Sequence, residues 1–389
     1  MSETRVGTGA SVRLGTVRGD LRMGAGSVIN GEDASGAHVE GRVELEGSAE
    51  VNCDLECWSL EGEGIVRVEG SLTVRDEVEV EDSLYVRKDL RAREAEVGGR
   101  MSVGGSLDCR DVTVGGSVEV DGELRAQSVE VGGRLEATGR VELRDLDVGG
   151  RAVVGGGRID GDVEVGGTFA SSSALAFRAI EVVGVVELGP DSSGDRLEVG
   201  GRLEAKGSLT CRQTEVGGDV RIGGDLKGES VEVGGRLLVS GSLELASALE
   251  VGGSTEVGGQ LKASEMEVGG DYRGSRALVD GPVEVGGNVE TTEGLKARTM
   301  ELHKGAVCRG PLVAERIELE KGCRADDLYA KEIVVDKNCY LGRLFAERVT
   351  IAERCFVAEI HYTTELELSD RSTVSKPAEK VRTLPPFPL

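Results

Sequence analysis

Carboxylates return on a fixed register in this 389-residue chain. Glu130, Glu164, Glu181, Glu198, Glu215, Glu232, Glu250, Glu267 and Glu284 each precede the valine of a recurring motif. Glu44, Glu61, Glu79, Glu96, Asp147, Glu301 and Glu318 extend the line, and Thr113 is its neutral member. One like charge per repeat could hold cations or a basic partner. It could equally be a solvated face, screened by arginines four residues on (Arg100, Arg134, Arg151, Arg202, Arg236), and that reading is adopted. Neighbours about 4.8 Å apart in water repel by roughly 1 kcal/mol, and such a line discourages sideways sheet aggregation.

The eight cysteines invite a metal or disulfide reading. Cys323, Cys339 and Cys355 share one inward register position, and Cys109, Cys211 and Cys308 are also expected inside. Cys53 and Cys57 are too far apart for a CxxC pair, and only His38, His303 and His361 could complete a ligand set. The thiols therefore read as small buried hydrophobes, with no metal and no cofactor. The stretch GPDSSGDR (189–196) has the spacing of a phosphate-binding loop, but Asp195 and Arg196 stand where Lys and Ser/Thr are needed. No Ser-His-Asp set is evident and general bases are few, so the chain is not expected to be an enzyme.

The elements that carry these residues follow from a repeat. Val-Gly-Gly, once Ile-Gly-Gly, recurs with its valines at 97, 114, 131, 148, 165, 199, 216, 233, 251, 268 and 285, and Val182 fills the gap. Only the step from 233 to 251 departs from 17. A fixed short period marks a solenoid. In Val131–Asp147 the apolar residues Val131, Leu135, Ala137, Val141, Leu143 and Leu146 form pairs two apart, the period of a strand. Three short strands per turn make a triangular, single-stranded β-helix. Gly-Gly is assigned to its corners for its tolerance of positive φ. The turns Val199–Thr214 and Val268–Val283 (Tyr272, Gly274, Leu278 and, less well, Asp280) follow the same template.

The register extrapolates to Val28, Leu45, Gly62 and Val80 before the motif, and to Leu302, Leu319, Val335, Ile351 and Leu368 after it. That gives roughly 22 turns and a rod on the order of 100 Å long. Residues 1–10 are expected as a short arm, 11–301 as regular coil, 302–375 as divergent turns and 376–389 as a proline-rich extended tail. Phenylalanines, serines and Pro190 between Thr168 and Arg196 predict a bulge or lateral feature. Tyr329, Phe345 and His361 are expected to stack as an inward ladder.

Composition agrees. Sixty glycines and 3% aromatic residues argue against a helical protein or a large core, and a mean hydropathy of −0.16 argues against disorder. Seventy acidic against 46 basic residues, a net charge of −24, argue against nucleic acid and anionic membrane as partners. No stretch approaches a membrane span and the N-terminus lacks a secretory signal, so a cytoplasmic location without membrane insertion is expected.

Repeats such as VEVGGRLEA, VEVGGRLLVSGSLEL and VGGDVRIGGDLKG resemble the bactofilin family, polymer-forming cytoskeletal proteins of bacteria and archaea. The likeness covers about residues 11–375 and rests on repeat texture. It implies a right-handed β-helix that polymerises end to end without nucleotide, as a scaffold for cell-shape or cell-envelope proteins. The chain has more turns than is usual there, which suggests a tandem or archaeal relative, and lacks the long N-terminal tail, which argues against direct membrane attachment. Hexapeptide acyltransferases repeat in strict steps of six, whereas the steps here run about 6, 6 and 5.

Only the first and last turns of such a coil have unpaired strands, and open edges recruit other chains. Val12, Leu14, Val17, Leu21 and Met23 are the candidate interface at the N-terminal end, beside Arg5, Arg13, Arg18 and Arg22. Leu366, Leu368 and Val374 are the candidates at the other end, where Leu384, Phe387 and Leu389 could fold back as a cap. The expected function is a self-assembling scaffold whose partner is itself. The alternative is a capped monomer that binds partners through its acidic stripe.

Overall fold

The structure, a computed structural model, describes residues 3–32 and 36–386. Among these every regular element is a strand, and the strands stack in parallel. Backbone contacts divide the chain into two units, Met1–Gly194 and Asp195–Leu389. Each is a β-solenoid, and the chain makes about 22 turns at roughly 17 residues apart.

The valine register is the axis of both units. In the first, Val80, Val97, Val114, Val131, Val148, Val165 and Val182 pair in sequence. In the second, Val216, Val233, Val251, Val268 and Val285 continue into Leu302, Leu319, Val335, Ile351 and Leu368. Each turn crosses three faces: an acidic face ending at the valine, then a second and a third. Strand alternation turns every other side chain inward. Val131, Leu135, Ala137, Val141, Leu143 and Leu146 are accordingly all buried, each larger one contributing about 1.5–3 kcal/mol by leaving water.

The corner glycines serve another purpose than the one expected. None of the glycines that follow the 17-residue register valines has positive φ. They are needed because successive corners touch. A Cβ on Gly133 would lie 2.6 Å from the carbonyl oxygen of Gly116, and one on Gly217 2.6 Å from that of Gly200. Left-handed residues appear at other corners: at Gly9, Gly26 and Gly47 in the early turns, at Gly156, Gly157 and Asp191 in the middle of the chain, and at Gly305, Gly322, Asn338 and Arg354 in the late turns. Val183 occupies a corner-glycine slot. It is 71% exposed, and its amide reaches the carbonyl of Val165 at 3.3 Å, where Gly149 and Gly166 make the equivalent bond at 3.0 Å.

Several expectations are corrected. The coil begins within the expected arm, because Glu3–Val6 pairs with Asp20–Met23. Val28 is not a register position: Met23 pairs with Leu45, a 22-residue step, since five extra residues fall between Gly31 and Ala37. The tail returns as strand at Glu379–Lys380, against His361 and Tyr362. No lateral feature arises over 168–194: Phe169 and Phe177 are buried, and Phe177 fills the space that a side chain on Gly194 would need. In the Tyr272 turn a register shift turns Ala277 and Val279 inward in place of Leu278 and Asp280.

Gly133→Ala or Gly217→Ala is expected to cost about 1–3 kcal/mol, because the new methyl meets backbone that cannot rotate away. Val183→Gly should change stability by less than about 1 kcal/mol. Urea unfolding midpoints of the three variants measure this, and equal effects at all three positions would contradict the corner argument.

Candidate functional site

Alternation also fixes the acidic stripe. Glu130 lies between buried Val129 and Val131 and so must point outward. Asp147, Glu164 and Glu181 follow it in register in the first unit. Glu215, Glu232, Glu250, Glu267, Glu284, Glu301 and Glu318 do so in the second. All are exposed; Glu198 is half-buried, 2.7 Å from Arg196.

The expected arginine screen is not built as supposed. Arg100, Arg134 and Arg151 open the second face, not the acidic one. Arg134 pairs with Glu136 at 2.6 Å and Arg100 donates to Ser117 at 3.2 Å. Among the described residues no cation lies within 4.0 Å of Glu130, Glu164, Glu181, Glu215, Glu232, Glu250 or Glu267. Nor does the stripe run unchanged to the ends. Its position carries Arg5 and Arg22 in the first turns, then Glu44 after the insertion. Beyond Glu318 it carries Val334, Thr350 and Glu367. The irregular step of the first turns hid the two arginines from the sequence register.

His303 was not foreseen as a site. It takes the corner slot that glycine fills elsewhere, and its Nε2 lies 2.7 Å from Glu284 Oε1 and its Nδ1 3.7 Å from Glu320 Oε2. Glu301, His303 and Glu320 bring their ligand atoms within 4.8 Å of one another, the one metal-capable group among the described residues. The hydrogen bond to Glu284, and then the charges of Glu284, Glu320 and Glu301, hold His303 above its ordinary pKa.

The cysteines Cys323, Cys339 and Cys355 are buried, as expected, and their thiols donate to corner carbonyls of His303 at 3.2 Å, Glu320 at 3.3 Å and Asp336 at 3.0 Å. Burial pushes the Cys109 and Cys308 thiols up to about 12 and Cys211 to about 11, which suits packing more than reactivity. Tyr329, Phe345 and His361 do stack, with centroids 4.8 and 5.0 Å apart, but on the outside. The 16-residue turns lose one residue before the third face, so Leu328 and Ala330 turn inward and Tyr329 is half-buried. Sequence reasoning also missed Tyr340 and Phe356, exposed neighbours 6.4 Å apart on the second face.

At the N-terminal end, the strands Glu3–Val6, Ser11–Leu14 and Thr16–Val17 each pair along one edge. Val12 and Leu14 are half-buried and Val17 is nearly covered. Leu21 and Met23 are fully buried beneath Glu3–Val6 and belong to the core, not to an interface. At the C-terminal end, Thr373–Val374 and Glu379–Lys380 cover the second and third faces of the last full turn. On the acidic face nothing described lies over Glu365–Leu368, where Leu366 is half-buried and Leu368 is 37% exposed. Phe387 and Leu389, expected as part of a cap, lie outside the described residues.

No family model, curated protein or solved structure matches this chain. No helix among the described residues is long and apolar enough to cross a membrane.

Because the pKa of His303 is raised on folding, its stabilisation is complete below the unfolded value of about 6.5 and fades as pH rises through the folded value. His303→Gln should therefore lower the thermal midpoint most below about pH 6.5, with the gap from wild type closing in alkali. A gap independent of pH would contradict this. Glu232→Gln with Glu250→Gln should raise the midpoint at low ionic strength and do little near 1 M salt, where screening acts within about 3 Å. A gain undiminished by salt would rule out repulsion along the stripe.

Proposed function

We propose that this protein is a non-enzymatic, self-assembling scaffold that polymerises end to end through its terminal turns without nucleotide. The observation that carries the reading is the state of the two ends. Interior strands are paired along both edges, whereas Glu3–Val6, Ser11–Leu14 and Thr16–Val17 have one partner each. Among the described residues no helix, proline or inward charge blunts that N-terminal edge. Val12 and Leu14 stand half-covered on it. Unprotected strand edges with apolar inward positions are templates for pairing with another chain.

The resemblance to bactofilins supports the same reading and extends it to a cytoplasmic filament that organises cell-shape or envelope proteins. A second reading, a binding platform for a basic partner, draws on the uncompensated carboxylates of the acidic face. It predicts a monomer; the first does not.

Val12→Lys with Leu14→Lys places two cations on the open edge and should leave particles of monomer mass by light scattering, with the strand signal in circular dichroism retained. Unchanged assembly by a folded double variant would overturn the role of this end.

A further inference from the structure

The assembly reading leaves open which ends meet, and the rotational position and charge of the two end turns bear on this. Among the described residues the first strand, Glu3–Val6, lies on the acidic face with the register position at Val6, the second face follows with Ser11–Leu14 and the third with Thr16–Val17. After Glu365–Leu368 on the acidic face, Thr373–Val374 lies on the second and Glu379–Lys380 on the third. The next strand of the coil would fall on the acidic face, over Glu365–Leu368. Glu3–Val6 of a second copy is a strand of that face with one edge unpaired among the described residues.

We propose that copies join head to tail as one continuous coil. Glu3–Val6 of one copy pairs in parallel with Glu365–Leu368 of the next, Thr4 meeting Leu366, Arg5 meeting Glu367 and Val6 meeting Leu368. The register follows from inward positions. Thr4 and Val6 lie over Leu21 and Met23, and Leu366 and Leu368 lie over Val349 and Ile351. The same superposition sets Val12, above Ile29, against Val374, above Val357.

Charge favours this polarity. Head-to-head contact brings Arg5 of one copy towards Arg5 of the other, and tail-to-tail contact brings Glu367 towards Glu367. Head-to-tail contact sets Arg5, now 2.8 Å from Glu3, against Glu367. On the third face Lys380 holds the inward position, with its ammonium 3.2 Å from the Thr364 carbonyl and over the Tyr362 ring. That face is covered rather than apolar, so the contact is carried by the other two.

Neighbouring parallel strands put in-register Cα atoms about 4.8 Å apart, within disulfide range. Thr4→Cys and Leu366→Cys proteins, mixed and mildly oxidised, should cross-link to each other and not to themselves, above the background of the parent, where only Cys53 is not fully buried. Self-cross-linking of either variant would overturn the polarity but leave assembly standing. No cross-link in particles of high mass would overturn the register, and no cross-link at monomer mass would overturn the assembly reading itself. As a check that needs no cysteine, Arg5→Glu and Glu367→Arg should each weaken association by up to about fivefold. Restoration when the two are mixed is expected, and its failure would overturn the pairing.

Discussion

In a parallel coil each turn satisfies its backbone only through the turns on either side of it, and almost everything else in this structure is a consequence. Burying an unpaired amide or carbonyl costs on the order of a lost hydrogen bond, so strands must stay in register through every turn. That requirement brings the corners into contact as well. At the Gly-Gly corners the backbone of one turn lies where the next would place a Cβ. Glycine is thus selected by closeness of approach at these corners, and Val183 holds one of them with its amide 3.3 Å from the carbonyl of Val165.

The same constraint stacks side chains whether or not their neighbours suit them. Carboxylates on the acidic face sit above one another because the valines beside them do, so their repulsion is set against the burial of the core. The outer turns depart from the pattern through left-handed corners, a basic start to the stripe at Arg5 and Arg22, and Val334 and Thr350 near its end. Most of these departures lie in turns that are themselves paired on both sides, as Val334 is between Glu318 and Thr350. The surfaces there are set by more than the stacking of interior turns.

Much of this was legible because a 17-residue period carries its own phase: the buried set of the Val131 turn and the register from Val80 to Leu368 follow from counting. What failed, failed where counting slips. Five extra residues before Ala37 moved the early register from Val28 to Met23 and hid the stripe arginines. One residue lost before the third face, where the turns shorten to 16, carried Tyr329, Phe345 and His361 from the inside of the coil to its outside. The reason for Gly-Gly could not be read from sequence, because positive φ and close approach call for the same residue. Leu21 and Met23 looked like an end until Glu3–Val6 was seen to cover them.

The direct test of the account is negative-stain electron microscopy of the purified protein, without nucleotide, across a salt series. The account predicts filaments one coil wide and many molecules long. Single particles, each one molecule long at every salt concentration, would mean that the ends are closed and would contradict it.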